Sequence, residues 1–348
     1  MNYYLARDYK VKRIHDAGSK ARMDIEDIML GMGMTPVGRH HGVSRSRIRH
    51  FLVTLLNVLR LACRVGRDDV LVLQYPTKYY RSICRIAHRK GARVVTFIHD
   101  LDCFRQRHHT VAEEMGLMNL SDALIGCNPT VCQWLTDNGF VGHGGRKIVV
   151  PMHVFDFLSS ARCADREAAG ITRRVVYAGQ LAPRKNRFLY SWGRHIHGFT
   201  VNVYGRGFDA SCAAAPERFD VKGFMLPDEL IGRAEGDFGL VWDGESADGC
   251  TGDWGGYLAL NTPHKTSLYI RCGLPVIIWK QAAMAPFIEE QGIGIAVNSL
   301  REIEKIYERL TPEDYGRLCH NVKRVGRLMA SGHYFRTAVS EAITRLTP

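Results

Sequence analysis

The sequence predicts an α/β protein of two doubly wound, Rossmann-like domains, and three observations predict it. The chain has 348 residues, too many for one ordinary hydrophobic core and close to what two α/β domains of roughly 150 residues each require. Strand-like apolar runs alternate with helix-like segments in short steps, the pattern of a parallel sheet covered on both faces. The alternation pauses once, over residues 152–171, and then restarts. The expected division is therefore 1–155 and 156–330, with a last helix of about 331–348 packing back on the first domain.

In chain order, DAGSKARMDIEDIMLGMG (16–33) reads as a glycine-loop entry into an amphipathic helix. Ser19 is its expected cap, and Gly18, Ser19 and Lys20 are candidate cleft-facing residues. RHHGVSRSRIRHFLVTLLNVLRLACRVGR (39–67) holds the densest basic residues. Within it Ile48, Phe51, Leu52, Leu55, Leu59, Ala62 and Cys63 recur at helical spacing. One reading is a helix lying on an anionic membrane, where each nearby Lys or Arg adds about 1 kcal/mol. The other is an ordinary helix whose apolar face packs on the domain core.

Strand and helix then alternate from DDVLVLQYP (68–76) and YYRSICRIAHRKG (79–91) to ARVVTFIHD (92–100), LSDALIGCN (120–128), VCQWLTDNGF (131–140) and KIVVP (147–151). After the pause, RRVVYAG (173–179) opens a second series through FTVNVYG (199–205), DFGLVWDG (237–244), LPVIIW (274–279) and GIGIAV (292–297). Helix-like segments separate these runs. The remainder, from Pro312 to Pro348, reads as helix with a Gly332-His333 break. In open α/β sheets ligands bind beyond the carboxyl ends of the strands, so the expected site is a cleft between two facing domains.

Composition narrows the class. The 46% hydrophobic and 24% charged content is that of a folded globular chain. Ten cysteines occur singly, without a CxxC pair, which reads as reduced thiols in a cytoplasmic protein. The start, MNYYLARDYKVKR, lacks an apolar signal-peptide core, and no run approaches the ~20 apolar residues of a membrane span. A net charge of +12 asks for an anionic partner, which a nucleotide, nucleic acid or an acidic membrane surface would each satisfy. Few aromatics interleave the basic stretch, against nucleic acid. A dehydrogenase would carry G-x-G-x-x-G after a strand, and no such motif occurs.

The richest window is 237–279. Its strand ends in Asp243-Gly244, both candidate nucleotide-sugar contacts, a glycine-rich polar loop follows, and NTPHKT opens a helix with Thr262 as expected N-cap and Pro263 as first helical residue. Free amides and dipole at such an end suit a pyrophosphate, with Lys265 as counter-charge; the alternative is a well-capped core helix. In VVYAGQLAPRKNRF (175–188), Arg184 and Lys185 form a second phosphate candidate or a solvated pair. Tyr204, at the end of another strand, would contact base or ribose, or pack. In the first domain His99-Asp100-Leu101-Asp102 follows a strand. A metal-binding Asp-x-Asp pair is the less favoured reading; Asp100 is instead the candidate general base, or a helix cap.

Together IHDLD (98–102), VVYAGQL (175–181), FGLVWDG (238–244) and NTPHKTSLYIRCGLPVIIW (261–279) resemble the bacterial transferases that include galactofuranosyltransferases of polysaccharide assembly. They are also similar to the glucosyltransferase that extends GlcNAc on serine-rich repeat adhesins. The resemblance implies a GT-B fold, a UDP-sugar donor, no metal or other cofactor, and inversion at the anomeric carbon. It matches Asn261 and Lys265 to an N-x-P-x-K segment that contacts the nucleotide, with Tyr257 preceding it and Thr266 following. Arg184 matches the basic residue after Y-A-G-x-L, and Asp100 the acidic position after the His99 match. Gly18, Ser19, Lys20, His99 and Asp102 form the candidate acceptor-side set. The expected partners are a UDP-sugar and a glycan or lipid-linked saccharide, in a cytoplasmic protein that could rest on the inner membrane face and could self-associate. A non-catalytic nucleotide-sugar-binding protein is the alternative, and donor sugar, acceptor and linkage stay open.

Overall fold

The computed structural model describes residues 1–11, 17–105, 109–166 and 170–346. The chain forms two compact units, Met1–Asp156 with Gly332–Pro348, and Phe157–Ser331.

In the first unit, β1 (Asn2–Leu5), β3 (Thr35–Val37), β5 (Val70–Tyr75), β6 (Arg93–Ile98), β7 (Ala123–Gly126) and β8 (Ile148–Pro151) make one parallel sheet in the order β3-β1-β5-β6-β7-β8. A separate parallel pair joins β2 (Asp8–Lys10) to β4 (Gly42–Ser44). All six residues of β5 are buried, as expected of a strand covered on both faces. The helix His333–Leu346 buries Phe335, Ala338, Val339 and Ala342. Asp156 accepts hydrogen bonds from the Tyr334 and Phe335 amides in its first turn.

The second unit carries β9 (Arg174–Gln180), β10 (Thr200–Arg206), β11 (Phe219–Gly223), β12 (Phe238–Val241), β13 (Val276–Trp279) and β14 (Gly294–Val297), all parallel, in the order β11-β10-β9-β12-β13-β14. Counted within the unit this is 3-2-1-4-5-6, the doubly wound order whose ligand crevice lies where the winding reverses. That point falls between β9 and β12. At the ends of β9 and β10, Gly179 and Gly205 are in register. A Cβ on Gly205, at φ +151°, would sit 1.8 Å from the Gly179 carbonyl oxygen.

Of the two readings of the basic helix the core-packed one is set aside, and the cap expected at Ser19 is corrected. The helix Arg47–Arg64 buries Asn57, Val58 and Leu61, whereas Ile48, Phe51, Leu52, Leu55 and Leu59 are exposed. Its apolar stripe is the outward face. Ser19 is not a cap: it lies inside the helix Ala17–Gly31, and Asp16, ahead of it, lies outside the described residues. No helix among the described residues is long and apolar enough to cross a membrane.

Candidate functional site

At the switch point of the second unit, the helix His264–Arg271 is held against the sheet by Tyr269. Its ring lies over Gly239 of β12, where a Cβ would stand 2.2 Å from the ring, and its hydroxyl accepts the Ala178 amide of β9 at 2.8 Å. This anchoring carries Lys265, in the first turn, over the ends of both strands. The Lys265 ammonium donates to Asp243 Oδ1 at 2.6 Å, to the Tyr177 hydroxyl at 2.9 Å and to the Trp242 carbonyl at 3.3 Å. It also stands 4.5 Å from the centre of the Tyr177 ring.

The Tyr177 hydroxyl donates onward to Asn186 Oδ1 at 2.8 Å. Burial first, and the Asp243 charge second, hold this phenol in its protonated form well above the ordinary tyrosine range. Gly244 lies beside Asp243 at φ +109°, and its carbonyl accepts the Phe188 amide at 3.2 Å. Asp243, Gly244 and Lys265 are thus gathered at one place. Tyr177 and Asn186 belong to the same cluster, although the sequence reading did not select them: Tyr177 sits in a strand with apolar neighbours, and Asn186 is an unremarked helix entry.

The helix begins one residue later than expected. Pro263, with ψ 132°, is its N-cap and His264 its first residue, so Thr262 does not cap it. Thr266 is fully buried, and its hydroxyl has no hydrogen-bond partner among the described residues; the same holds for Asn261 Oδ1. Unmet acceptors and donors of this kind are costly unless a ligand or water meets them. Tyr257 is half-buried, and its carbonyl accepts the Asn261 amide at 3.0 Å. Arg184 is exposed on the turn after β9, and Lys185 stacks over the Trp254 ring at 5.2 Å. Tyr204 is different: it is buried and its hydroxyl accepts the Glu235 amide at 3.0 Å, so the contact to base or ribose gives way to packing.

In the first unit, His99 is buried, its Nε2 bonded to Gln74 Oε1 at 2.7 Å and its ring stacked on Phe155. Gln74 in turn donates to the Arg22 carbonyl at 3.2 Å. The helix carrying Gly18, Ser19 and Lys20 is thereby tied to the strand end that carries His99 and Asp100. Arg22 and Gln74 are the additions here. Arg22 is buried, and burial with the Arg7 charge lowers its pKa to about 9 while Asp100 opposes that shift. Asp100 forms an ion pair with Arg105, Lys20 one with Asp24, and Asp102 opens the short helix Asp102–Arg105. Gly18 is exposed. Among the described residues, Glu26, His40 and His41 bring their ligand atoms close enough together to hold a metal ion.

Comparison with known proteins fits this layout. Residues 2–149 match the family profile described as "Glucosyltransferase 3-like, N-terminal domain", and residues 175–342 its C-terminal counterpart. The chain is 31% identical over 355 residues to the β-1,6-galactofuranosyltransferase WbbI of Escherichia coli K12, covering 99% of each. Against Glucosyltransferase 3 of Streptococcus gordonii it is 26% identical, covering 80% of each. Among solved structures, it superposes on HepE of Anabaena in complex with UDP and glucose with a TM-score of 0.60 at 13% identity, covering 100% of this chain and 99% of that one. A UDP-forming trehalose-phosphate synthase from Burkholderia vietnamiensis gives 0.62 at 11%, covering 99% of each. The fold is GT-B.

Proposed function

The chain belongs to the glucosyltransferase 3-like family of bacterial glycosyltransferases, and on that premise we propose that it moves a hexose from a UDP-sugar to a glycan or glycoconjugate hydroxyl. Galactofuranose, galactose and glucose are the candidate hexoses, and cell-surface polysaccharide or glycoprotein assembly is the setting. The observation that carries the reading is the Lys265 cluster at the β9–β12 switch point. A lysine, the first amides of a helix and the unmet Thr266 hydroxyl form a site for a diphosphate with no metal required.

In this mechanism the acceptor oxygen attacks the anomeric carbon from the face opposite the nucleotide, inverting it. The bond from that carbon to the β-phosphate oxygen breaks, and its electron pair leaves on UDP. Lys265 and the helix amides stabilise the charge that builds on the departing diphosphate, with Arg184 and Asn261 as further contacts. Asp100 takes the acceptor proton, exchanging its Arg105 partner for the hydroxyl. Lys20 and Asp102 are its candidate neighbours on the acceptor.

Calorimetric titration with UDP, GDP, ADP and NAD⁺, each in EDTA and in Mg²⁺, tests the donor half. The expected result is UDP binding alone, unchanged by EDTA and lost in Lys265→Ala. A preference for NAD⁺, or no nucleotide binding, overturns it.

A further inference from the structure

The helix Arg47–Arg64 presents an apolar surface that its own unit leaves uncovered. Ile48, Phe51, Leu52, Leu55, Leu56 and Leu59 recur at intervals of three and four, which puts them on one side of the helix, and they are between 42% and 74% exposed. The opposite side is fixed in place by Val58, Leu61 and Asn57, whose amide bonds the Ala6 carbonyl at 3.4 Å. Ser46 caps the first turn by accepting the Arg49 amide. The helix is therefore anchored to the fold, and its exposed stripe is not an end that has frayed away from a core.

The charge around the stripe selects the occupant. From Gly38 to Arg67 the sequence contains Arg39, Arg45, Arg47, Arg49, Arg60, Arg64 and Arg67 and no aspartate or glutamate. Pairing this face with that of a second copy would bring two such arginine sets together with no carboxylate of this segment between them. An anionic bilayer accepts both parts at once: the leucines enter the acyl boundary while the arginines meet the headgroups. We propose that this helix docks the chain in the plane of an anionic lipid surface, leaving the apolar stripe immersed and the arginines at headgroup level.

The test is sedimentation of the full chain with vesicles of phosphatidylcholine alone or mixed equally with phosphatidylglycerol, without nucleotide, so that the outcome is independent of the donor chemistry. The expected result is binding to the mixed vesicles only, weakened by salt. Leu55→Ser/Leu59→Ser should lower that partition at least tenfold. Arg47→Gln/Arg49→Gln should lower it roughly 25-fold. Circular dichroism and melting temperature should be unchanged in both, since all four side chains are exposed. Equal binding to both vesicle types, no binding, or indifference to the leucine pair overturns the proposal. So does a dimer in lipid-free solution that the leucine pair dissociates, because the face would then belong to a second copy.

Discussion

Lys265 is held between a carboxylate and a phenol, and both contacts shape what its removal does. Its side chain is 16% exposed and that of Asp243 14%, so the pair is shielded from solvent and its electrostatics exceed those of a surface bridge. Lys265→Ala is expected to cost at least tenfold in UDP affinity and to lower the melting temperature, since Asp243 loses its counter-charge. Asp243→Asn is expected to keep or tighten UDP binding, because a competitor for the ammonium is gone. Titration calorimetry with melting curves separates the two, and unchanged UDP affinity in Lys265→Ala would remove the lysine from the site. Asp100→Asn should depress kcat while UDP affinity is kept; full turnover would dismiss Asp100 as the base. Lys265 was legible because a lysine just inside a helix start, after a glycine-rich loop, has a local signature. Tyr177 and Asn186 were not, because their roles exist only once β9 lies beside β12. Tyr204 shows the converse: a strand-end tyrosine reads the same whether it faces a ligand or bonds a neighbouring turn.

At the level of elements, the position of the His264–Arg271 helix depends on Tyr269 seated over Gly239. Gly239→Ala puts a methyl within the ring and forces the helix away from β12. The expected result is a loss of about 1–3 kcal/mol, read by urea denaturation, with UDP affinity falling in parallel. Tyr269→Phe keeps the ring and removes only the hydrogen bond to Ala178, leaving a buried amide without its acceptor, so about 1–3 kcal/mol is expected with UDP binding nearly intact. Equal losses of UDP affinity in the two would mean that the hydrogen bond, not the seating, sets the helix. The buried strands β5 to β10 and β12 to β14 were readable as apolar runs between turn residues. Strands β1 and β3 were not, being four residues with an asparagine and three with a central proline. The helix Arg47–Arg64 was found in the right place, but its stripe was given two readings. Helical periodicity reports that one face is apolar and carries no information on whether protein or another phase covers it.

For the whole molecule, the alternation of strand and helix over 348 residues was enough to give the fold class, while its response to pH needed the burial pattern. Among the described residues two carboxyls, both in the first unit, are raised to about 7 mainly by burial: Glu26 from 4.5 and Asp156 from 3.8. Among the described residues of the second unit the carboxylates with resolved shifts, Asp209 and Asp248, are exposed and lowered. A carboxyl raised on folding favours the protonated form, so its stabilisation is complete below the unfolded pKa and is lost as pH rises through about 7. Lowered carboxylates lose their contribution only below their unfolded value of 3.8. Between pH 5.5 and 8 the first unit should therefore weaken, by about 2 kcal/mol for each raised carboxyl, while carboxylate titration leaves the second unaffected. Amide hydrogen exchange, corrected for intrinsic rates, reads each unit separately. Core amides of β5 and β6 should lose protection as pH rises, and those of β9 and β12 should not. Glu26→Gln preserves the oxygen that accepts from the Arg7 amide and the Tyr9 hydroxyl, and should remove about half of the slope. Equal pH dependence in the two units, or a slope untouched by Glu26→Gln, would show that these carboxyls do not govern it.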